Sequence, residues 1–301
     1  MIYVLSPLFR TGGVELLHQL AHELSKYTDV VMCYADHGPL IDEYAQYQTD
    51  HIFIEDLPDN TDFVIVPEIW ARTAIGRHKK VIFWESVDNY LARSNDVNFD
   101  PNIIHLAQSE YACQFLLNTV GAAHILRVSD YINEDFLEPY DEKAPRKPVV
   151  LFNPAKGMEH TQKVIDAMPD VHFIPLSGLS RIETRNLMRE SMAYIDLGNH
   201  PGKDRMPREA AASGCCIVTS LNGSAKYRKD VPIPIEYKFF RTNVTEITTK
   251  IREILSNYET CRRDFSYYRE HIRFEKQLFK SEVKLLATVI LVDIDLAGEG
   301  S

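Results

Sequence analysis

Apolar residues follow two rhythms along this chain. Short apolar runs occupy residues 2–5, 30–33, 51–54, 63–66, 80–83 and 103–107. Runs of this length predict β-strands. Between them lie segments with apolar residues at helical spacing: Val14, Leu16, Leu17, Leu20, Ala21 and Leu24 within 13–26, and a second helix over 110–118. The stretch Glu142-Lys143-Ala144-Pro145-Arg146-Lys147-Pro148 then breaks the pattern, with two prolines among charges, and predicts a linker. The alternation restarts beyond it. Strands are expected at 149–152, 171–174, 193–197 and 215–219, and helices at 157–167, 181–189 and 208–213. From 244 to 286 the pattern is mostly helical and rich in charge and aromatic residues.

Strands alternating with helices imply βαβ units and a mainly parallel sheet. The restart at Val149 predicts an α/β protein of two Rossmann-like, doubly wound domains, 1–145 and 146–301, facing each other across a cleft. The late helices are expected to cross back toward the first. The 301 residues suit two domains, and 45% hydrophobic residues with 25% charged suffice for two cores. In such sheets ligands bind beyond the carboxyl ends of the strands.

Charge and cysteine usage narrow the class. A net charge of -10 argues against general affinity for nucleic acid, although a local basic pocket for a phosphate remains compatible with it. Five cysteines, Cys33, Cys113, Cys215, Cys216 and Cys261, match neither a zinc site nor a secreted disulfide framework. Cys215 and Cys216 read as small buried residues, and a reducing cytoplasm is the simplest setting. Met1-Ile2-Tyr3-Val4-Leu5 reads as a strand, not a signal peptide. The apolar run at 285–292 is too short to cross a bilayer. Asp293-Ile294-Asp295 resembles an Asp-x-Asp metal motif, but only six residues follow it and it reads as tail. Gly298-Glu299-Gly300-Ser301 reads as a disordered end. Eleven histidines show no paired metal spacing, so neither a metal nor another cofactor is expected.

Three strand-end loops carry candidate chemistry. Arg10-Thr11-Gly12-Gly13 precedes the first helix, where glycines permit close backbone approach and free amides favour an anion; a plain tight turn fits equally well. Asn153-Pro154-Ala155-Lys156-Gly157 opens the first helix of the second half and sets Lys156 where phosphate would meet it; a solvated lysine beside a turn glycine is the plainer reading. His200-Pro201-Gly202-Lys203-Asp204-Arg205-Met206-Pro207-Arg208-Glu209 follows the 193–197 strand, with Pro207 expected in a first helical turn. Lys203, Arg205 and Arg208 beside helix amides suit a diphosphate. Glu209 suits a ribose diol, or alternatively a helix-start carboxylate. Trp84-Glu85-Ser86-Val87-Asp88 follows another strand. There Glu85 or Asp88 would orient a ligand hydroxyl and Trp84 would stack on a ligand's ring face, a sugar's included, or they are a surface acid and a core tryptophan.

Taken in order over roughly residues 1–230, several segments resemble retaining GT-B glycosyltransferases of the glycosyltransferase-4-like group. They are Gly12-Gly13-Val14-Glu15 with Leu20-Ala21-His22-Glu23-Leu24, Ala107-Gln108-Ser109-Glu110, Asn153 through Gly157, and Pro207-Arg208-Glu209-Ala210-Ala211-Ala212-Ser213-Gly214-Cys215-Cys216-Ile217-Val218. The resemblance implies a hexosyltransferase-like enzyme of polysaccharide biosynthesis. It would move a sugar from a nucleotide-sugar donor to a glycan, lipid-linked or other hydroxyl acceptor, with retention and without an essential metal. Peripheral membrane contact is compatible with it. Donor binding would fall to Gly12, Gly13, Asn153, Lys156, Gly157, Arg208 and Glu209, and catalysis to Lys203, Arg205, Glu85 and Asp88. The pattern also departs from the group. Members often carry two glutamates about eight positions apart; here Pro201 stands at the first. Cys216 replaces a proline, and Asn153 stands near the donor-loop arginine. These departures point to a divergent subfamily with an unusual donor, a cytidine-monophosphate sugar included. A sugar-nucleotide epimerase and a non-catalytic nucleotide-binding module are the rival readings.

Overall fold

The computed structural model describes residues 1–298 apart from 48 and 61, with side chains through Val292. The tail readings of Asp293-Ile294-Asp295 and of Glu299 to Ser301 therefore concern side chains or residues outside the described ones. The chain divides into two compact units, Met1–Asp130 with the chain from Lys276 onward, and Tyr131–Glu275.

Unit one contains β1 (Ile2–Ser6), α1 (Gly12–Leu24), β2 (Val30–Tyr34), β3 (Asp50–Phe53), β4 (Phe63–Pro67), β5 (Lys79–Trp84), α2 (Val87–Leu91), β6 (Ile104–Ala107), α3 (Glu110–Phe115) and β7 (His124–Arg127). The strands form one parallel sheet in the order β3-β2-β1-β4-β5-β6-β7. Ile2 pairs with Val30 on one side and Phe63 on the other, so the winding reverses between β1 and β4. That reversal opens a crevice at the carboxyl edge of a doubly wound sheet. Leu16, Leu17, Leu20, Ala21 and Leu24 are buried on α1, while Thr11 caps its start by accepting from the Val14 amide. The helix expected at 110–118 leaves α3 as a π-helical turn over Leu116–Val120 and closes on Gly121 at φ 68°. β7 lies at the sheet edge, partly exposed, with only Ile125 and Leu126 apolar, too weak a run to stand out.

Unit two contains β8 (Lys147–Phe152), α4 (Met158–Asp166), β9 (His172–Pro175), α5 (Arg181–Glu190), β10 (Ser191–Asp196), α6 (Arg205–Ala212), β11 (Cys216–Ser220), β12 (Lys238–Phe239), α7 (Val244–Ser256) and α8 (Tyr258–Cys261). Its parallel sheet runs β12-β11-β10-β8-β9. Val150, Leu151, Tyr194, Ile195, Ile217 and Val218 fill the core, and the free Cys215 and Cys216 are buried there as expected. The long α9 (Ser266–Gly298) belongs to unit two through Glu275 and to unit one from Lys276. In unit one Glu282 on α9 accepts from both the amide and hydroxyl of Ser129, at 2.7 and 2.6 Å. Among the described residues no helix is long and apolar enough to cross a membrane.

The division falls between Asp130 and Tyr131, upstream of the 142–148 segment read as a linker. The reason is Arg146. Its guanidinium donates to the carbonyls of Met188, Ser191 and Ser213 and lies over the rings of Tyr140 and Tyr258, which ties the proline-containing segment into unit two.

Candidate functional site

In unit two the loops after β8, β10 and β11 pack backbone to backbone. Gly157 closes the β8 loop at φ 61°, and a Cβ there would stand 2.5 Å from the Gly198 amide nitrogen. Only glycine allows both the left-handed conformation and that approach. Gly223, at φ 51°, comes nearer still from the other side, its virtual Cβ 1.9 Å from the His200 carbonyl oxygen. The Ser224 amide donates to that same carbonyl at 2.8 Å. The Ser220 hydroxyl donates to Gly198 O at 2.7 Å and the Ser224 hydroxyl to Gly202 O at 2.6 Å. The β10–α6 loop is thus pinned along its length at the carboxyl edge of the sheet.

Charge is concentrated on this loop. Lys156 Nζ binds Asp204 Oδ1. Asp204 Oδ2 lies 2.9 Å from His200 Nδ1, and His200 Nε2 faces Asp196 Oδ1 at 3.8 Å. Asp196 also accepts from the Gly198 amide at 3.1 Å. Burial works against the charged form of each of these groups. For Asp196 burial wins and its pKa is raised. For Asp204 the burial effect is overcome by the hydrogen bond from His200 and the charge of Lys156, and its pKa is lowered. For His200 burial is overcome by the charge of Asp196 and the contact with Asp204, and its pKa is raised. For Lys156 burial is overcome by Asp204 and Asp196, and its pKa is also raised. Among the described residues Asp196, His200 and Asp204 form a group whose potential ligand atoms lie within 4.8 Å of one another. Nδ1 of the ring faces the Asp204 carboxylate, and Nε2 lies nearer the Asp196 backbone carbonyl, at 3.4 Å, than the Asp196 carboxylate. The His200 ring is thus held between Asp196, at the end of β10, and Asp204, at the start of α6.

The other expected donor-side residues fall into three places. Lys203 and Arg208 turn inward, 4% and 0% exposed, onto the carboxylate of Glu275, at 2.7 and 2.8 Å. Arg208 also donates to the carbonyls of Lys203, at 2.8 Å, and Asp204, at 3.1 Å. Arg205 opens α6, which starts three residues earlier than the pattern predicts, with Asp204 as its N-cap. Glu209 therefore lies in the second turn, partly exposed, which corrects its reading as a helix-start carboxylate. Asn153 accepts from the Ala155 amide at 3.0 Å and shapes its own turn.

In unit one the ends of β1, β4 and β5 meet. Gly12 is the first residue of α1 and is exposed. A Cβ on Gly13 would fall 2.2 Å from Glu85 Oε2, so the Glu85 carboxylate sits against the start of α1, where the helix dipole favours an anion. Glu68, directly after β4 and 3% exposed, accepts from the Glu85 amide at 3.0 Å. Burial pushes its pKa up to about 7 despite these amide bonds. Asp88 lies in the first turn of α2 and accepts from the Tyr111 hydroxyl at 2.6 Å. Trp84 is fully buried. Its Nε1 donates to His105 Nδ1 at 3.0 Å and its ring packs on Tyr90 and Phe115, so the sugar-stacking reading gives way to a core role.

Unit one thus gathers Gly12, Gly13 and Glu85, and unit two gathers Lys156, Gly157 and the Asp204–Arg205 helix start. Sequence reasoning missed Glu68, Glu275, Asp196 and the loop histidine His200. For Glu275 a signal existed: it shares a helix face with Ile272 and Phe279, both buried, so a charge stands where the helical spacing calls for an apolar residue.

No family model matches the chain, and no curated protein matches it in sequence. Solved structures share its fold. A glycosyltransferase from Rickettsia africae ESF-5 is 14% identical over 96% of this chain and 98% of that one, with a TM-score of 0.66. Sucrose-phosphate synthase from Thermosynechococcus elongatus is 13% identical, covering 97% and 99%, with a TM-score of 0.69. The Anabaena protein HepE, solved in complex with UDP, is 12% identical, covering 96% and 100%, with a TM-score of 0.68. Identities this low establish the fold, which is GT-B: two Rossmann-like α/β units.

Proposed function

We propose that the chain is a glycosyltransferase that holds a nucleotide-sugar donor in unit two and passes the sugar to a hydroxyl acceptor, a glycan or a lipid-linked glycan, with retention and without an essential metal. The observation that carries this reading is the seating of Lys156. Its ammonium stands at the carboxyl edge of a parallel sheet, beside the first turn of α6, in a loop held close by Gly157 and Gly198. The fold supports it, being shared with glycosyltransferases and with a protein solved with UDP.

In this reading Lys156 and Arg205, with the amides that open α6, meet the donor's phosphates and stabilise the charge that grows as the sugar departs. Gly157 and Asn153 shape the loop that carries Lys156. Glu209 takes the ribose diol. In unit one Gly12 and Gly13 present the amides of α1, and Glu85 and Asp88 orient the acceptor hydroxyl. Lys203 and Arg208 act on the loop from beneath. The free cysteines suit a reducing, cytoplasmic setting. The test is a screen of uridine-, guanosine-, adenosine- and cytidine-linked sugars by thermal stabilisation, which reads binding to the folded state directly. At least one should raise the melting temperature of the wild type and fail to do so for Lys156→Ala. Equal stabilisation of both proteins would remove Lys156 from the donor site.

A further inference from the structure

Glu275 has no place in that chemistry, yet it is among the most enclosed charges in unit two, 1% exposed. It receives Lys203 on Oε1 at 2.7 Å and Arg208 on Oε2 at 2.8 Å. Those two cations come from the β10–α6 loop and from α6 itself, whereas Glu275 comes from α9. Arg208 then reaches back to the carbonyls of Lys203 and Asp204, so its guanidinium bridges the α9 carboxylate and the backbone at the helix start. Asp204, whose carbonyl is held in this way, carries the carboxylate that grips Lys156. Burying charge is costly, and apolar residues of similar volume in such a triad are often neutral or stabilising. A buried triad that joins a helix to a loop is therefore better explained by the geometry it enforces than by stability.

We propose that Glu275 is a positioning residue for the donor loop: by holding Lys203 and Arg208 it fixes residues 198–204, and so aims Asp204, and through it Lys156, at the donor's phosphates. The proposal rests on the donor-site reading above. It gives Lys203 and Arg208 a different role from direct contact with phosphate. Loss of the carboxylate releases both cations at once and leaves Lys156 in place but poorly aimed. Misplacement of this kind costs up to about 10²-fold in catalytic efficiency.

Amide hydrogen exchange over residues 198–204, measured without nucleotide, tests the clamp apart from the donor reading. Glu275→Gln keeps the shape of the side chain and removes its charge. Met188→Ala, a core truncation in the same unit, controls for lost stability. The expected result is faster exchange in the loop of Glu275→Gln than in Met188→Ala at matched distance below each melting temperature. Where a nucleotide sugar binds the wild type, its KM should also rise about tenfold or more in Glu275→Gln. If Glu275→Gln does not fold, Lys203→Met removes one arm of the clamp and should show the same loop-specific exchange. Equal loop exchange in the charge variant and the core control would overturn the proposal. A wild type that binds no nucleotide sugar would instead defeat the donor reading and leave the exchange result to judge the clamp.

Discussion

Lys156 faces two demands, since the carboxylate that now holds it must share it with an incoming phosphate. Its partner Asp204 is itself held by His200, which keeps the carboxylate ionised and oriented. Lys156→Ala should therefore weaken nucleotide-sugar binding by about 1.5–3 kcal/mol, the worth of a hydrogen bond to a charged group, as read by calorimetric titration. Glu209→Ala should likewise weaken the donor by more than it lowers the melting temperature, because the residue sits beyond the first turn of α6, where the helix dipole no longer favours a carboxylate strongly. A fall in stability with donor affinity intact would return Glu209 to a purely structural role. Glu68 sets a pH dependence. Its pKa rises from 4.5 to about 7 on burial, so the folded state keeps a proton that the unfolded chain releases. Its contribution to stability is full below about pH 4.5 and is lost as pH rises through 7. Glu68→Gln, which can still accept from the Glu85 amide, should flatten this loss, so that its melting temperature gains on the wild type across that window. Parallel pH profiles for the two proteins would contradict the assignment. The sequence hinted at Lys156 through its place at a strand end. It could not show Glu68, an acid after an apolar strand with no partner nearby in the chain, because burial is set by β5 and α2, which meet it only in the fold.

At the level of elements, the pattern of short apolar runs located β1 to β6 and β8 to β11, most of them buried parallel strands that are apolar on both faces. Edge strands β7 and β12 escaped it because one has only two apolar residues and the other is only two residues long. The start of α6 was misplaced for a similar reason. Pro207 suits any position in a first turn, so the proline alone does not say which residue precedes the helix. The β8–α4 junction is sensitive to change. Gly157→Ala would add a Cβ 2.5 Å from the Gly198 backbone in a left-handed conformation. Gly178→Ala would test the conformation alone, since φ is 69° there with nothing within 4 Å. The second should cost about 1 kcal/mol by denaturant titration and leave donor binding intact. The first should cost clearly more and abolish nucleotide binding. Similar losses in both variants would mean that the two loops are not held together as described.

On the scale of the whole molecule, the restart of strand–helix alternation at Val149 was the feature that announced two Rossmann-like units. What the restart could not show is that the chain enters unit two at Tyr131 and that α9 passes from unit two to unit one between Glu275 and Lys276. Both depend on contacts between residues far apart in sequence, such as Ser129 with Glu282 and Arg146 with Ser213. The GT-B fold is compatible with transfer, with epimerisation and with simple nucleotide binding, because function resides in the site and not in the architecture. The most direct test of the proposed activity follows the sugar itself. The wild type and Lys156→Ala would be incubated with a panel of nucleotide sugars and a saccharide or lipid-linked acceptor, and products resolved by mass spectrometry. Transfer predicts a new glycoside and free nucleotide in equal amounts from the wild type, strongly reduced in the variant. An epimerised or hydrolysed donor without a glycoside, or a donor bound tightly and recovered unchanged, would contradict it.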